Sequence, residues 1–91
     1  MVSFAFTVKS EKGLHARPAG ALVKEAIKCS GTVTIRKGGK QEDLKRVYNV
    51  MSLAIKENEE VEITVEGKNE EAEAAALQKY INENLQAAAK S

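Results

Sequence analysis

The stretch GLHARPAG, residues 13–20, brings a histidine, an arginine and a proline together where a helical pattern begins. Proline has no backbone N–H and its ring clashes inside a helix, so Pro18 places the helix start near His15 or Ala16. The positive end of a helix dipole favours carboxylates and disfavours cations, by about 0.3–1 kcal/mol at an exposed site. Arg17 stands on the wrong side of that rule. The closing helix of the same chain makes the ordinary choice, with Glu70, Glu71 and Glu73 following Asn69 as the expected cap. An imidazole, a guanidinium and unpaired amides at one helix start suit an anion, and phosphate is the obvious candidate.

His15 is the only histidine of the chain. An imidazole is largely uncharged at neutral pH, which leaves a ring nitrogen free to act as a nucleophile. Phosphoryl transfer passes through a loose, charge-spread transition state, so a protein supplies mainly positioning and positive charge. Arg17, with planar N–H donors, offers both. Taken singly, His15 reads as a surface residue and Arg17 as a solvated charge; their company is what points to chemistry.

Other chemistries lack their residues. One histidine and one cysteine do not make the three or four ligands of a metal site, so neither metal nor cofactor is expected. A Cys–His pair is excluded by distance, since fourteen residues of helix from His15 to Cys29 span roughly 21 Å. KGGK, residues 37–40, lacks the spacing of a phosphate loop and the serine or threonine that follows it, and reads as a hairpin turn.

The elements that position these residues follow from periodicity. Val2, Phe4, Phe6 and Val8 alternate as in a strand with one buried face. Ala16, Ala19, Leu22, Val23, Ala26 and Ile27 recur at helical spacing, with Lys28 and Gly31 as closing signals. TVTIRK at 32–37, the Gly38-Gly39 turn and KQED form a hairpin. Leu44–Ile55 fits a second helix, with Val47, Val50, Met51 and Ala54 on one face and Asp43 as its cap. VEITVEG at 61–67 is a strand, and a last helix carries Ala74, Leu77, Ile81 and Leu85 as its apolar stripe. The order is βαββαβα, and a single sheet covered by helices on one side satisfies every apolar face.

Ninety-one residues with 43% hydrophobic content make one domain, expected over residues 1–88 with 89–91 as a frayed tail. A net charge of +1 from scattered residues gives no pull toward nucleic acid or membrane insertion. MVSFAFTV lacks the basic region and long apolar stretch of a secretory signal, and the single cysteine, Cys29, forms no internal disulfide. A cytoplasmic location is the expectation. Lys45 and Arg46 open the second helix and, with Tyr48 and Met51, would make an apolar contact surface ringed by positive charge, if exposed beside His15. Otherwise Tyr48 and Met51 are packing residues.

GLHARPA, with VMSLA at 50–54 and the element order, resembles the HPr family of histidine-containing phosphocarriers of the bacterial sugar phosphotransferase system. The resemblance spans essentially the whole domain. It implies an α+β open-faced β-sandwich, a four-stranded antiparallel sheet with three helices on one face. It further implies that His15 carries a phosphoryl group on Nδ1, taken from phosphorylated enzyme I and passed to enzyme IIA, in a carrier rather than a turnover catalyst. Arg17 would stabilise the phosphate, the backbone N–H groups of Ala16 and Arg17 would complete the anion site, and Val47, Tyr48 and Met51 fall on the family's docking surface. A monomer is expected.

Two positions depart from the family pattern. Arg46 occupies the place where many members have a regulatory serine, so that control is not expected, and Ser52 lies six residues further on. Gly20 replaces the usual alanine or threonine, which costs the helix something near 1 kcal/mol. Two alternatives remain, the first of them within the resemblance. One is a regulatory or adaptor paralogue of the nitrogen-related branch with little role in sugar flux; the other is a domain that senses an anion without covalent chemistry.

Overall fold

Strand alternation decides the architecture. In the computed structural model, which describes residues 1–86, β1 (Val2–Thr7), β2 (Thr32–Lys37), β3 (Lys40–Asp43) and β4 (Glu60–Glu66) form one antiparallel sheet in the order β1-β4-β2-β3. Phe6 pairs with Val61, Phe4 with Ile63, and Ile63 in turn with Ile35, so the apolar residues of adjacent strands fall on one face. On the other face Ser3 and Thr64 share a hydroxyl hydrogen bond at 2.8 Å, and Arg36 pairs with Glu62 at 2.8 Å. That face needs no cover. Short, charged β3 closes one edge, where unpaired backbone groups otherwise invite another strand.

The helices α1 (Ala16–Ile27), α2 (Val47–Met51) and α3 (Glu70–Ile81) lie over the apolar face, and α3 runs on into a π-helical segment, Asn82–Gln86. The result is the expected open-faced sandwich. Ala19, Leu22, Val23 and Ala26 of α1 and Ala74, Leu77 and Ile81 of α3 are buried against Val33, Ile35, Val61, Ile63 and Val65. Leu85 packs against this core from the π-helical segment. Two members of the expected α1 stripe turn outward: Ala16 at the helix start is exposed, and Ile27 at its end is 58% exposed, since both sit beyond the arc covered by the sheet. The expected tail at 89–91 lies outside the described residues.

The second helix is the largest departure. It spans five residues rather than the expected twelve. At its start, Asp43 does not cap the helix. Its Oδ1 accepts from the Lys45 amide at 2.9 Å and its carbonyl from the Arg46 amide, which makes a turn that competes with helix. Leu44, inside this turn, is fully buried, and its amide donates to the Val33 carbonyl. At the other end Ala54 takes a left-handed φ of 48°, which stops the helix. Ala54 is therefore exposed and Met51 only partly covered, while Val50, Leu53 and Ile55 fill the core instead.

Two caps also differ from expectation. Asn69 makes no side-chain bond to α3; instead the Glu70 Oε1 accepts from the Gly67 amide at 3.1 Å. Gly31 does not terminate α1, whose C-cap is Lys28. It lets the chain pass against β4, where a Cβ would collide with the Glu66 carbonyl oxygen.

Glu73 ties the exit of α1 to α3. Its carboxylate accepts from the Ser30 amide at 2.6 Å, the Ser30 hydroxyl at 2.9 Å and the Gly31 amide at 3.3 Å. The Ser30 amide first, then its hydroxyl and the Gly31 amide, with the charge of Lys45, hold the Glu73 carboxyl below its ordinary pKa. A folded pKa below the unfolded one means that protons bind the unfolded chain more readily. The contribution is thus complete above the unfolded value of about 4.3 and disappears as pH falls through the lower folded value. Thermal unfolding followed against pH should show the gap between the parent and Glu73→Gln narrowing toward acid.

Gly20 stands within α1, and a Cβ there meets nothing within 4 Å. Gly20→Ala should therefore raise stability by about 0.5–1 kcal/mol, through helix propensity and a less disordered unfolded chain. The check is the denaturant midpoint at unchanged slope.

Candidate functional site

The site is built by a turn, a cap and a proline in succession. Gly13 has a φ of +67°, and a Cβ on it would collide with the Ile55 carbonyl oxygen, so this position demands glycine on two grounds. The next residue, Leu14, is buried, and its amide donates to that same carbonyl at 3.0 Å. The chain emerges from this anchored pair at His15, the N-cap of α1, with extended backbone angles of φ −82° and ψ −174°.

His15 makes no side-chain cap bond. Its carbonyl accepts the first intrahelical bond, from Ala19 at 2.9 Å. Ala16 and Arg17 are the first two helical residues and Pro18 the third, so proline occupies a position whose N–H would have no partner within the helix. Among the described residues neither the Ala16 nor the Arg17 amide donates to a protein group. With no acidic residue in its first turn, α1 thus ends in two open donors beside an imidazole.

Ala16 and Arg17 are exposed and His15 is half-buried. Among the described residues Arg17 forms no ion pair, while the other two arginines do: Arg36 with Glu62 and Arg46 with Asp43, the latter at 3.7 Å. Beside the site opens a hollow of about 470 Å³, with His15, Arg17 and Lys9 among the residues around it and Leu14, Tyr80 and Leu85 lining its apolar part. Such an opening admits a group carried by another macromolecule. It does not enclose a substrate.

The basic residues of the expected docking surface separate. The Lys45 ammonium donates to the Cys29 carbonyl at 2.8 Å, beyond the end of α1, whereas Ile55 reaches Gly13 and Leu14 at its beginning. The chain from 45 to 55 thus runs alongside α1 in the opposite sense, and Lys45 lies about a helix length of ~18 Å from His15. Arg46, paired with Asp43, lies at that far end too. Val47 is half-buried against the core, Tyr48 is 86% exposed and Met51 is 37% exposed. Cys29 is buried, and burial first, then the charge of Glu73, pushes its thiol pKa up. Among the described residues no three His, Cys, Asp or Glu side chains come together as a metal site.

The supporting residues were harder to see from the sequence. Gly13 carried the usual signal of a glycine before a structured element, but its partner, the Ile55 carbonyl, lies 42 positions away and has no side-chain signature.

Sheet, helix layer and a histidine at an open helix start define a class, the small open-faced α+β domains with an exposed anion site. The family model described as PTS HPr component phosphorylation site matches residues 2–83, and the chain belongs to the HPr family. It is 40% identical over 77 residues to the phosphocarrier protein HPr of Mycoplasma capricolum subsp. capricolum, which covers 85% of this chain and 86% of that one. A solved mycoplasma histidine-containing phosphocarrier protein superposes with a TM-score of 0.85 at 38% identity, covering 92% of this chain and 97% of that one. Crh of Bacillus subtilis, a catabolite-repression protein solved as a domain-swapped dimer, matches with a TM-score of 0.71 at 33% identity, covering 93% and 98% of the two chains.

Proposed function

We propose that this HPr-family phosphocarrier takes a phosphoryl group on His15 from phosphorylated enzyme I and delivers it to enzyme IIA components in sugar uptake. The observation that carries this reading is the N-cap position of His15 over the two open amides of Ala16 and Arg17.

Resemblance to the HPr family assigns the phosphoryl group to Nδ1 of the histidine, and His15 stands at the N-cap with no side-chain cap bond. In the forward step the Nδ1 lone pair attacks phosphorus, the Nδ1–P bond forms, and the bond between phosphorus and the donor breaks with its electron pair leaving on the donor. The three phosphoryl oxygens then face the helix start, where the Ala16 and Arg17 amides and the dipole offset their charge. Arg17, unpaired within the described residues, is available to complete this environment through charge-assisted bonds. Delivery is the same displacement in reverse on an acceptor.

A site open on one side suits a group handed from one macromolecule to another, and every group invoked belongs to one copy, so the proposed working unit is a monomer; its proposed location is the cytoplasm. No helix among the described residues is long and apolar enough to cross a membrane. Val47, Tyr48 and Met51 are the proposed docking residues, and the engagement of Lys45 and Arg46 with Cys29 and Asp43 gives those two cations a lesser part. Incubation with phosphoenolpyruvate and an enzyme I shown active on a control carrier should place an acid-labile phosphate on His15. Absence of label from the chain would refute the reading.

A further inference from the structure

We propose that Lys37 is a positioning residue for His15, acting through the left-handed turn at Ala54. This rests on the carrier role of His15 set out above. In β2 the buried side chains are Val33 and Ile35, so period-two alternation aims residue 37 at the same covered side of the sheet. A lysine there needs acceptors, and its ammonium finds three: the Leu53 carbonyl at 3.0 Å, the Ala54 carbonyl at 2.9 Å and the Glu59 Oε1 at 3.0 Å.

These acceptors surround one short loop. Leu53 and Ala54 follow the C-cap of α2, where carbonyls lack intrahelical partners and a cation is favourable. Ala54 has a φ of 48° and Asn58 a φ of 69°, two left-handed positions filled by residues with a Cβ. The amide of Lys56, between them, donates to Glu59 Oε1 at 2.6 Å. Lys37 thus binds both sides of a turn whose backbone is unfavourable without support.

The loop connects directly to the site. Ile55, the residue after Ala54, offers the carbonyl that receives the Leu14 amide and against which Gly13 is packed. Gly13 and Leu14 both make that contact, and His15 follows at once. If the turn at Ala54 relaxes, the Ile55 carbonyl rotates and the approach to His15 loses its anchor.

The test uses three variants of the full chain: Lys37→Met, Lys37→Arg, and Lys37→Met combined with Ala54→Gly. In Lys37→Met, amide hydrogen exchange at Leu14 should accelerate about tenfold while the amides of β4 stay as in the parent, and phosphorylation by enzyme I should slow about tenfold, short of the roughly 10²-fold that a full 1 Å misplacement costs. Lys37→Arg should retain most of the rate. Ala54→Gly, which adopts the left-handed turn unaided, should restore both exchange and rate in the double variant. A Lys37→Met protein with parental Leu14 exchange, or a double variant that stays slow, would overturn the proposal. Hydrogen exchange does not depend on phosphoryl chemistry, so loss of labelling in the parent would count against the carrier role and leave the positioning result to be read separately.

Discussion

His15→Ala should take up no phosphate from phosphoenolpyruvate and enzyme I, a loss to background rather than a slowing. The substitution removes the only imidazole in the chain. The reason is stoichiometric: the bond to phosphorus is made by an imidazole nitrogen, and no second imidazole exists to take its place. Cys29, the only thiol, is buried beyond the opposite end of α1, and its raised pKa works against the thiolate. Because His15 is half-buried and makes no side-chain cap bond, the fold should survive the change, and the thermal midpoint should move little. A variant that still accepts label at the parental rate would place the carrier elsewhere and dismantle the site as described.

Arg17→Gln should slow the same transfer by about 10²–10³-fold, the usual loss when one preorganised donor is removed from a developing anion. The guanidinium has no partner among the described residues, so the change breaks no ion pair. It also removes a cation from a position where the helix dipole opposes one, worth about 0.3–1 kcal/mol. The variant should accordingly be slightly more stable than the parent while being far slower. That opposition of sign separates a functional arginine from a structural one. Stopped-flow or quenched labelling at fixed enzyme I, with denaturant titration of the same sample, measures both.

Much of this site is legible in the sequence, because its signals are local. Pro18 fixes a helix start within a residue or two, and Arg17 contradicts the dipole rule that Glu70, Glu71 and Glu73 obey. Alternation in β1, β2 and β4 is equally local, and it determined which faces meet. Resemblance in GLHARPA and VMSLA adds the strand arrangement and names a donor and acceptors, which periodicity does not contain.

What stayed hidden was non-local. Helical spacing at Val47, Val50, Met51 and Ala54 is genuine, yet Asp43 spends its side chain on a turn and Leu44 is taken by the core, which leaves only five residues to be helical. Among the caps, Asn69 and Lys28 hold their expected places, but Asn69 makes no side-chain bond and Gly31 serves a close approach to Glu66 rather than the end of α1. Lys37 looked like one more charge in a hairpin. Its meaning depends on three acceptors at Leu53, Ala54 and Glu59, all brought close by the fold.

A phosphoryl group resting on Nδ1 of His15 above the open amides of α1 should be visible by nitrogen-resolved NMR of the protein charged by enzyme I. Phosphorus should couple to Nδ1 of His15, with the amide protons of Ala16 and Arg17 moving downfield together as they bond the new oxygens. Phosphorus on another atom, or a phosphorylated His15 that leaves both amides where they were, would contradict this placement.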